Sequence, residues 1–144
     1  MNDCLSTHFS LDEFTNSQTA SRLGIANDPG PDVISALVVT AHGLELVRTL
    51  LGNVPVLISS GYRSTALNAA CHGAIGSQHL LGEAVDFTAP TFGTPAEVVA
   101  AIVASDIPYD QCILEFGRWC HISFSTRDRR QALVIDSMGT RAFA

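Results

Sequence analysis

The chain contains no lysine; all eight of its basic residues are arginine. That excludes a lysine nucleophile or base and leaves arginine as the permanently charged anchor for a substrate carboxylate. Positive charge is scarce overall, and a net charge of −6 argues against a surface built for nucleic acid or anionic lipid. The four cysteines, Cys4, Cys71, Cys112 and Cys120, have no close-paired spacing. This excludes a zinc ribbon or a redox pair and predicts reduced, mostly buried thiols, with Cys120 a small core side chain and not a ligand. Met1 to Ser6 has neither the basic segment nor the apolar run of an export leader, and no span approaches the ~20 apolar residues of a membrane helix. A cytosol-like site of synthesis without membrane attachment is expected. H-E-x-x-H, G-x-S-x-G and phosphate-binding glycine loops are also missing. What remains is 144 residues, 47% hydrophobic, with no polar or repetitive tract. That predicts one domain over residues 1–144 with a real core, expected to be a monomer.

Helical signals fill the first third. Phe9 to Phe14 reads as a capped turn, with Ser10 accepting from the Glu13 backbone. Ser17 to Leu23 reads as a short helix closed by Gly24. From Pro31 to Leu51 apolar residues recur at 34, 37, 38, 41, 44, 47 and 51, which predicts the main core helix, stopped by Gly52. His42 lies within it as an ordinary helix residue, and His8 is expected to be exposed. Val56 to Ser60 reads as a strand, Thr65 to Ala70 as a helix and Ala84 to Phe87 as a buried strand. Thr94-Pro95-Ala96-Glu97 is a capping box opening a helix to about Ser105. Three strands follow, 111–116, 119–125 and 132–136, with Arg127, Arg129 and Arg130 on a solvated turn. Helices first and adjacent strands last predict an α+β fold, an antiparallel sheet with helices packed on one side.

The chemistry centres on Gly76 to Phe87. Asp86 interrupts an apolar strand, and an acid there is costly unless a cation or hydrogen-bond donors meet it. Gly76 and Gly82 bracket His79 with flexible backbone, so imidazole and carboxylate can converge. Glu115 and His121 are polar residues in apolar strands around a turn. If Gly117 to Trp119 form a three-residue loop, Glu115 faces His121 on one side of the sheet; a two-residue loop would put them on opposite faces. The three-residue loop is expected, because only then do both reach one metal site. His79, Asp86 and His121 then form three ligands with a fourth position open, as in catalytic zinc, and Glu115 stands as general base. Arg63 adds positive charge beside the cleft, or ties down the Asp86 loop, and Glu115 has the plainer alternative of a strand-end salt bridge. His72 is read as a surface loop residue.

Ser59-Ser60-Gly61-Tyr62-Arg63-Ser64, Ser77 to Asp86 and Trp119-Cys120-His121-Ile122-Ser123 resemble, in order and spacing, the signature of the M15 zinc peptidases. The likeness is to the phage and bacterial D-alanyl-D-alanine carboxypeptidase-like branch and covers about residues 9–125. It implies the hedgehog/DD-peptidase fold, a Zn2+ cofactor and hydrolysis of a peptide bond in peptidoglycan stem or cross-link peptides, as by a cell-wall enzyme or an endolysin released by phage lysis or carried on a virion. It carries over His79, Asp86 and His121 as zinc ligands, Arg63 as the contact to a substrate carboxylate, and Ser77 as an orienting serine. Tyr62, in the same block, is read first as packing against the loop and second as a candidate substrate contact. Some relatives place the catalytic acid three residues before the last histidine, where this chain has Arg118. Others, including the hedgehog-like pattern, place a glutamate six before, matching Glu115. That pattern also has a histidine two before the last ligand, where this chain has Trp119. The alternative is a zinc-containing binding or virion structural module with little turnover.

Overall fold

Local signals decide the helices, and the computed structural model, which describes residues 3–144, places them in this order: α1 (Leu11–Thr15), α2 (Gln18–Leu23), α3 (Pro31–Leu50), β1 (Leu57–Ser60), α4 (Thr65–Ala70), a 3-10 turn (Gln78–Leu81), β2 (Ala84–Thr88), α5 (Pro95–Val103), β3 (Gln111–Glu115), β4 (Trp119–Ser123), β5 (Gln131–Asp136) and β6 (Gly139–Ala142). Met1 and Asn2, part of the stretch read for a leader, lie outside the described residues. The Ser17 hydroxyl accepts from the Ala20 N–H, and Gly24 closes α2 in the left-handed conformation at φ 67°. At α5 the Thr94 hydroxyl accepts from the Glu97 N–H while the Glu97 carboxylate accepts from the Thr94 N–H, the reciprocal cap that the sequence predicts.

The six strands form one sheet in the order β1-β2-β4-β3-β5-β6. Every pair is antiparallel except β3–β5, which is parallel because the 124–130 segment carries the chain back along the sheet after β4. Strand β6, a short hairpin partner for β5, has no alternation to announce it and is absent from the sequence expectation.

Side-chain alternation splits the sheet. Val85, Phe87, Cys112, Cys120 and Ile122 point into the core, where α3 contributes Leu37, Ala41, Leu44 and Val47 and α5 contributes Val98, Val99 and Ile102. Burying each of the larger aliphatic chains stabilises the fold by about 1.5–3 kcal/mol. Asp86, Ile113, Glu115, Trp119 and His121 occupy the opposite face. Cys120 is a core residue as expected, its Sγ 3.8 Å from that of Cys112, but Cys4 and Cys71 are exposed, so the thiols are only half buried as a set.

Helix α3 corrects one expectation: by length and composition Pro31–Leu50 is sufficient to cross a membrane. Its buried face nevertheless packs as the core helix of the sheet, and the Thr40 hydroxyl reaches across to donate to the Gly82 carbonyl at 2.7 Å. Glycines mark the closest approaches. A Cβ on Gly43 would meet the Phe124 ring at 2.5 Å, and one on Gly61 would meet the Phe14 carbonyl oxygen at 2.5 Å. The ring can shift, but the Phe14 backbone is held by its bond to the Tyr62 N–H. Gly61→Ala is therefore expected to destabilise the protein by about 1–3 kcal/mol through overpacking. Gly76→Ala, with nothing within 4 Å of the added Cβ, should leave the denaturant midpoint almost unchanged.

Candidate metal centre

Four separate segments meet above the polar face of the sheet. The 3-10 turn carries His79. Ser77 starts it, its hydroxyl accepting from the His79 N–H at 3.2 Å, and Gly82 ends it at φ 76°. The ring is set by β1's end: His79 Nδ1 lies 2.7 Å from the Gly61 carbonyl oxygen. A carbonyl only accepts, so Nδ1 carries the proton and Nε2 is left as the ligand atom, pointing at Asp86. Asp86 and His121 are direct cross-strand partners on β2 and β4. Asp86 Oδ1 lies 3.3 Å from His79 Nε2 and 2.9 Å from His121 Nδ1. All three residues are buried, and their donor atoms lie within 4.8 Å of one another.

This set fits zinc. Ligands about 2.0–2.2 Å from a tetrahedral zinc stand roughly 3.4 Å apart, close to the spacing these nitrogen and oxygen atoms already have. Two neutral imidazoles and one carboxylate are also a zinc-type donor set, and the buried anion calls for a cation. Burial pushes the Asp86 carboxyl up, but its contacts with His121 and His79 outweigh it and hold the group well below the usual carboxylate range.

Arg63 faces the same carboxylate. Its Nη2 is 3.4 Å from Asp86 Oδ2, while Nε donates to the Ser60 hydroxyl at 3.0 Å and Nη1 to Asn68 Oδ1 at 3.4 Å. Arg63 thus ties down Asp86 while its guanidinium lines the cleft, so the two readings of this residue coincide. Glu115 Oε1 lies 3.5 Å from His121 Nδ1. Burial, then the Asp86 charge, raise its pKa above the ordinary glutamate value against the opposing pull of His121, Arg63 and a hydrogen bond from Trp119.

The hairpin differs from expectation by one residue. Glu115 pairs with Trp119 and Ile113 with His121, so the loop is Phe116 to Arg118, with Phe116 and Gly117 at positive φ. The loop still has three residues. Glu115 and His121 therefore share a face and meet diagonally instead of directly. Ser77, His72 and Arg127 line the same cavity, of about 660 Å³; His72 is an exposed turn residue, as expected, that also borders the cleft. Tyr62 is not on that wall: its ring packs against the core and its backbone is bonded to Phe14 and Asn27. His42 and His8 also stay clear of the centre, His8 pairing with Glu45 at 2.7 Å.

One network went unread in the sequence. The fully buried Asp110 accepts from the Arg129 Nε at 2.7 Å, from its Nη2 at 2.9 Å and from Gln78 Nε2 at 2.9 Å. It joins the residue preceding His79 to the loop after β4. Arg130 is equally engaged, bonded to the carbonyls of Val103, Ser105 and Ile107 and lying 4.6 Å over the Tyr109 ring. The arginine turn is solvent-exposed, as expected, and Arg129 and Arg130 also clasp it to the rest of the fold. The available signal was an acid beside an apolar strand with arginines nearby in the chain.

A six-stranded mixed sheet with two histidines and an aspartate converging on its open face defines a domain of the single-zinc, hedgehog/DD-peptidase type. The Peptidase M15 profile matches residues 7–123, and the chain belongs to that family. Zinc is the cofactor that this donor set and family imply. Over 64 residues the chain is 34% identical to the zinc D-Ala-D-Ala carboxypeptidase of Streptomyces albus G, a stretch covering 44% of this chain and 25% of that protein. The matched stretch is a quarter of that relative's length.

Arg129's hydrogen bonds, ahead of the opposing burial, hold the Asp110 carboxyl well below its ordinary value. A carboxyl depressed on folding contributes stability above its unfolded pKa of about 3.9 and loses it as pH falls below that. Asp110→Asn is expected to lower stability at pH 7 by about 1–3 kcal/mol and to flatten the acid limb of the pH–stability curve, read by urea unfolding from pH 2 to 7.

Proposed function

We propose that this chain is a zinc-dependent peptidase that hydrolyses a peptide bond in the stem or cross-link peptides of bacterial peptidoglycan. His79 Nε2, Asp86 and His121 Nδ1 hold the metal, and Glu115 is the general base. The observation that carries the reading is the half-buried Glu115 carboxylate, 3.5 Å from His121 at the edge of the three-ligand cluster and open to the cavity. A structural metal site has no use for a second carboxylate facing the cavity beside its three ligands. The Streptomyces relative, named for D-Ala-D-Ala hydrolysis, supports the wall peptide as substrate.

Bound zinc supplies Lewis acidity, lowering the pKa of water to about 7 and polarising a carbonyl. The protein's own groups do the rest. Glu115 accepts a proton from the attacking water and returns it to the leaving amine nitrogen. Its raised pKa suits both halves of that transfer. The Gly61 carbonyl keeps His79 in one tautomer, and Arg63 keeps Asp86 from turning away. Arg63 uses only part of its donor set on protein, so its remaining N–H groups and charge serve a peptide carboxylate in the cleft. Ser77 holds the turn that aims His79. Release at phage lysis or carriage on a virion would bring such an enzyme to the wall.

Purified protein incubated with sacculi should release new amino groups, with mass spectrometry of the muropeptides identifying the bond cut. Glu115→Ala should lower the rate by at least about 10²-fold while retaining stoichiometric zinc. Asp86→Asn should lose the metal as well. A zinc-loaded wild type as inert as Glu115→Ala would replace the enzyme with the binding-module reading.

A further inference from the structure

Of the eight arginines, three line the metal cleft: Arg63, Arg127 and Arg129. Two are committed to buried carboxylates, Arg63 to Asp86 and Arg129 to Asp110. Arg127 is not. Its backbone N–H donates to the Ser125 hydroxyl at 3.3 Å, but among the described residues its guanidinium makes no hydrogen bond or ion pair, and the residue is exposed. Arg22 and Arg118 also lack side-chain partners among the described residues, but neither lines this cavity. A free guanidinium on a cleft wall, in a protein of net charge −6, presents a planar set of N–H donors suited to a carboxylate. We infer that Arg127 binds a second carboxylate of the substrate, one borne by an acidic residue within the stem peptide and distinct from the carboxylate at Arg63. This rests on the peptidase reading above.

Topology separates the two anchors. The strand order β1-β2-β4-β3 puts Asp86 and His121 on the two middle strands, with Arg63 following β1 on one flank. Arg127 belongs to the 124–130 segment, which leaves β4, passes the end of β3 and re-enters the sheet as β5 on the far side. Arg129 pins that segment to Asp110, the residue before β3, so Arg127 lies on the β3 flank. From β1 to β3 is three strand spacings, about 14 Å, the reach of about four residues of extended peptide. A stem peptide with one carboxylate at its C-terminus and another on its acidic residue spans both arginines across the metal. Other polar groups on the β3 flank are already engaged: Arg129 Nε and Nη2 donate to Asp110, and the Gln111 amide donates to Gln131.

The probes are a synthetic pentapeptide, L-Ala-γ-D-Glu-L-Lys-D-Ala-D-Ala, and the same peptide with the glutamate α-carboxylate amidated. In zinc-loaded Glu115→Gln, in which turnover is blocked, calorimetry should show the amidated peptide binding about threefold to tenfold more weakly. Adding Arg127→Gln should weaken binding of the free-acid peptide by the same factor and abolish the difference between the two. In the active protein, Arg127→Gln should raise KM for the free-acid peptide to that extent with kcat held within about twofold. Arg22→Gln, the same charge change on α2, should leave KM unchanged. Equal affinity for the two peptides, or a difference that survives Arg127→Gln, overturns the inference, as does failure of both peptides to bind. If wild type cleaves no wall peptide while calorimetry still separates the two, the peptidase reading fails and the Arg127 anchor stands.

Discussion

The arrangement depends on one buried carboxylate. Asp86 sits in an apolar strand, 4% exposed, and an isolated charge there would be prohibitive. The protein meets it from three sides: His121 across the β2–β4 pair, His79 on the 3-10 turn and Arg63 after β1. Each partner is itself held, His79 by the Gly61 carbonyl and Arg63 by Ser60 and Asn68. Removing any of them leaves a charge uncompensated, so the constraint that assembles the centre also fixes its geometry. A divalent cation placed among these atoms resolves the same electrostatic problem, which is why a stable fold and a metal site coincide here.

Much of this was legible in the residues. Caps, helical spacing and glycine stops gave α2 to α5 within a residue or two, because those signals act within one turn of chain. The three-ligand cluster was legible because an acid in an apolar strand announces a partner. Pairing between distant segments was not legible. The loop between β3 and β4 is shifted by one residue, yet its odd length was right, so Glu115 and His121 kept their common face although they are not opposite each other. Parity survives such a shift, whereas the identity of the facing residue does not. The parallel β3–β5 contact, β6 and the Asp110–Arg129–Gln78 network depend on where the chain returns, which no local pattern records.

Trp119 and Tyr62 show the limit of reading residue types. Tyr62 lies beside Arg63 in the same signature block but turns to the core. Trp119 stands where the hedgehog-like pattern has an imidazole, and it lines the cleft two residues before His121. Adjacency in the chain says little about which side of a strand or turn a group will serve.

The alternation of β4 also bears on metal choice. Cys120 is next to His121 and points into the core toward Cys112, where burial pushes its thiol well above its ordinary pKa. A one-residue slip of that strand would exchange an imidazole for a sulfur and convert an oxidation-resistant nitrogen and oxygen donor set into one better suited to soft ions such as copper(I) and vulnerable to peroxide. Packing on the core side keeps the sulfurs out of the coordination chemistry, so the redox inertness of the centre follows from the pleat of a single strand.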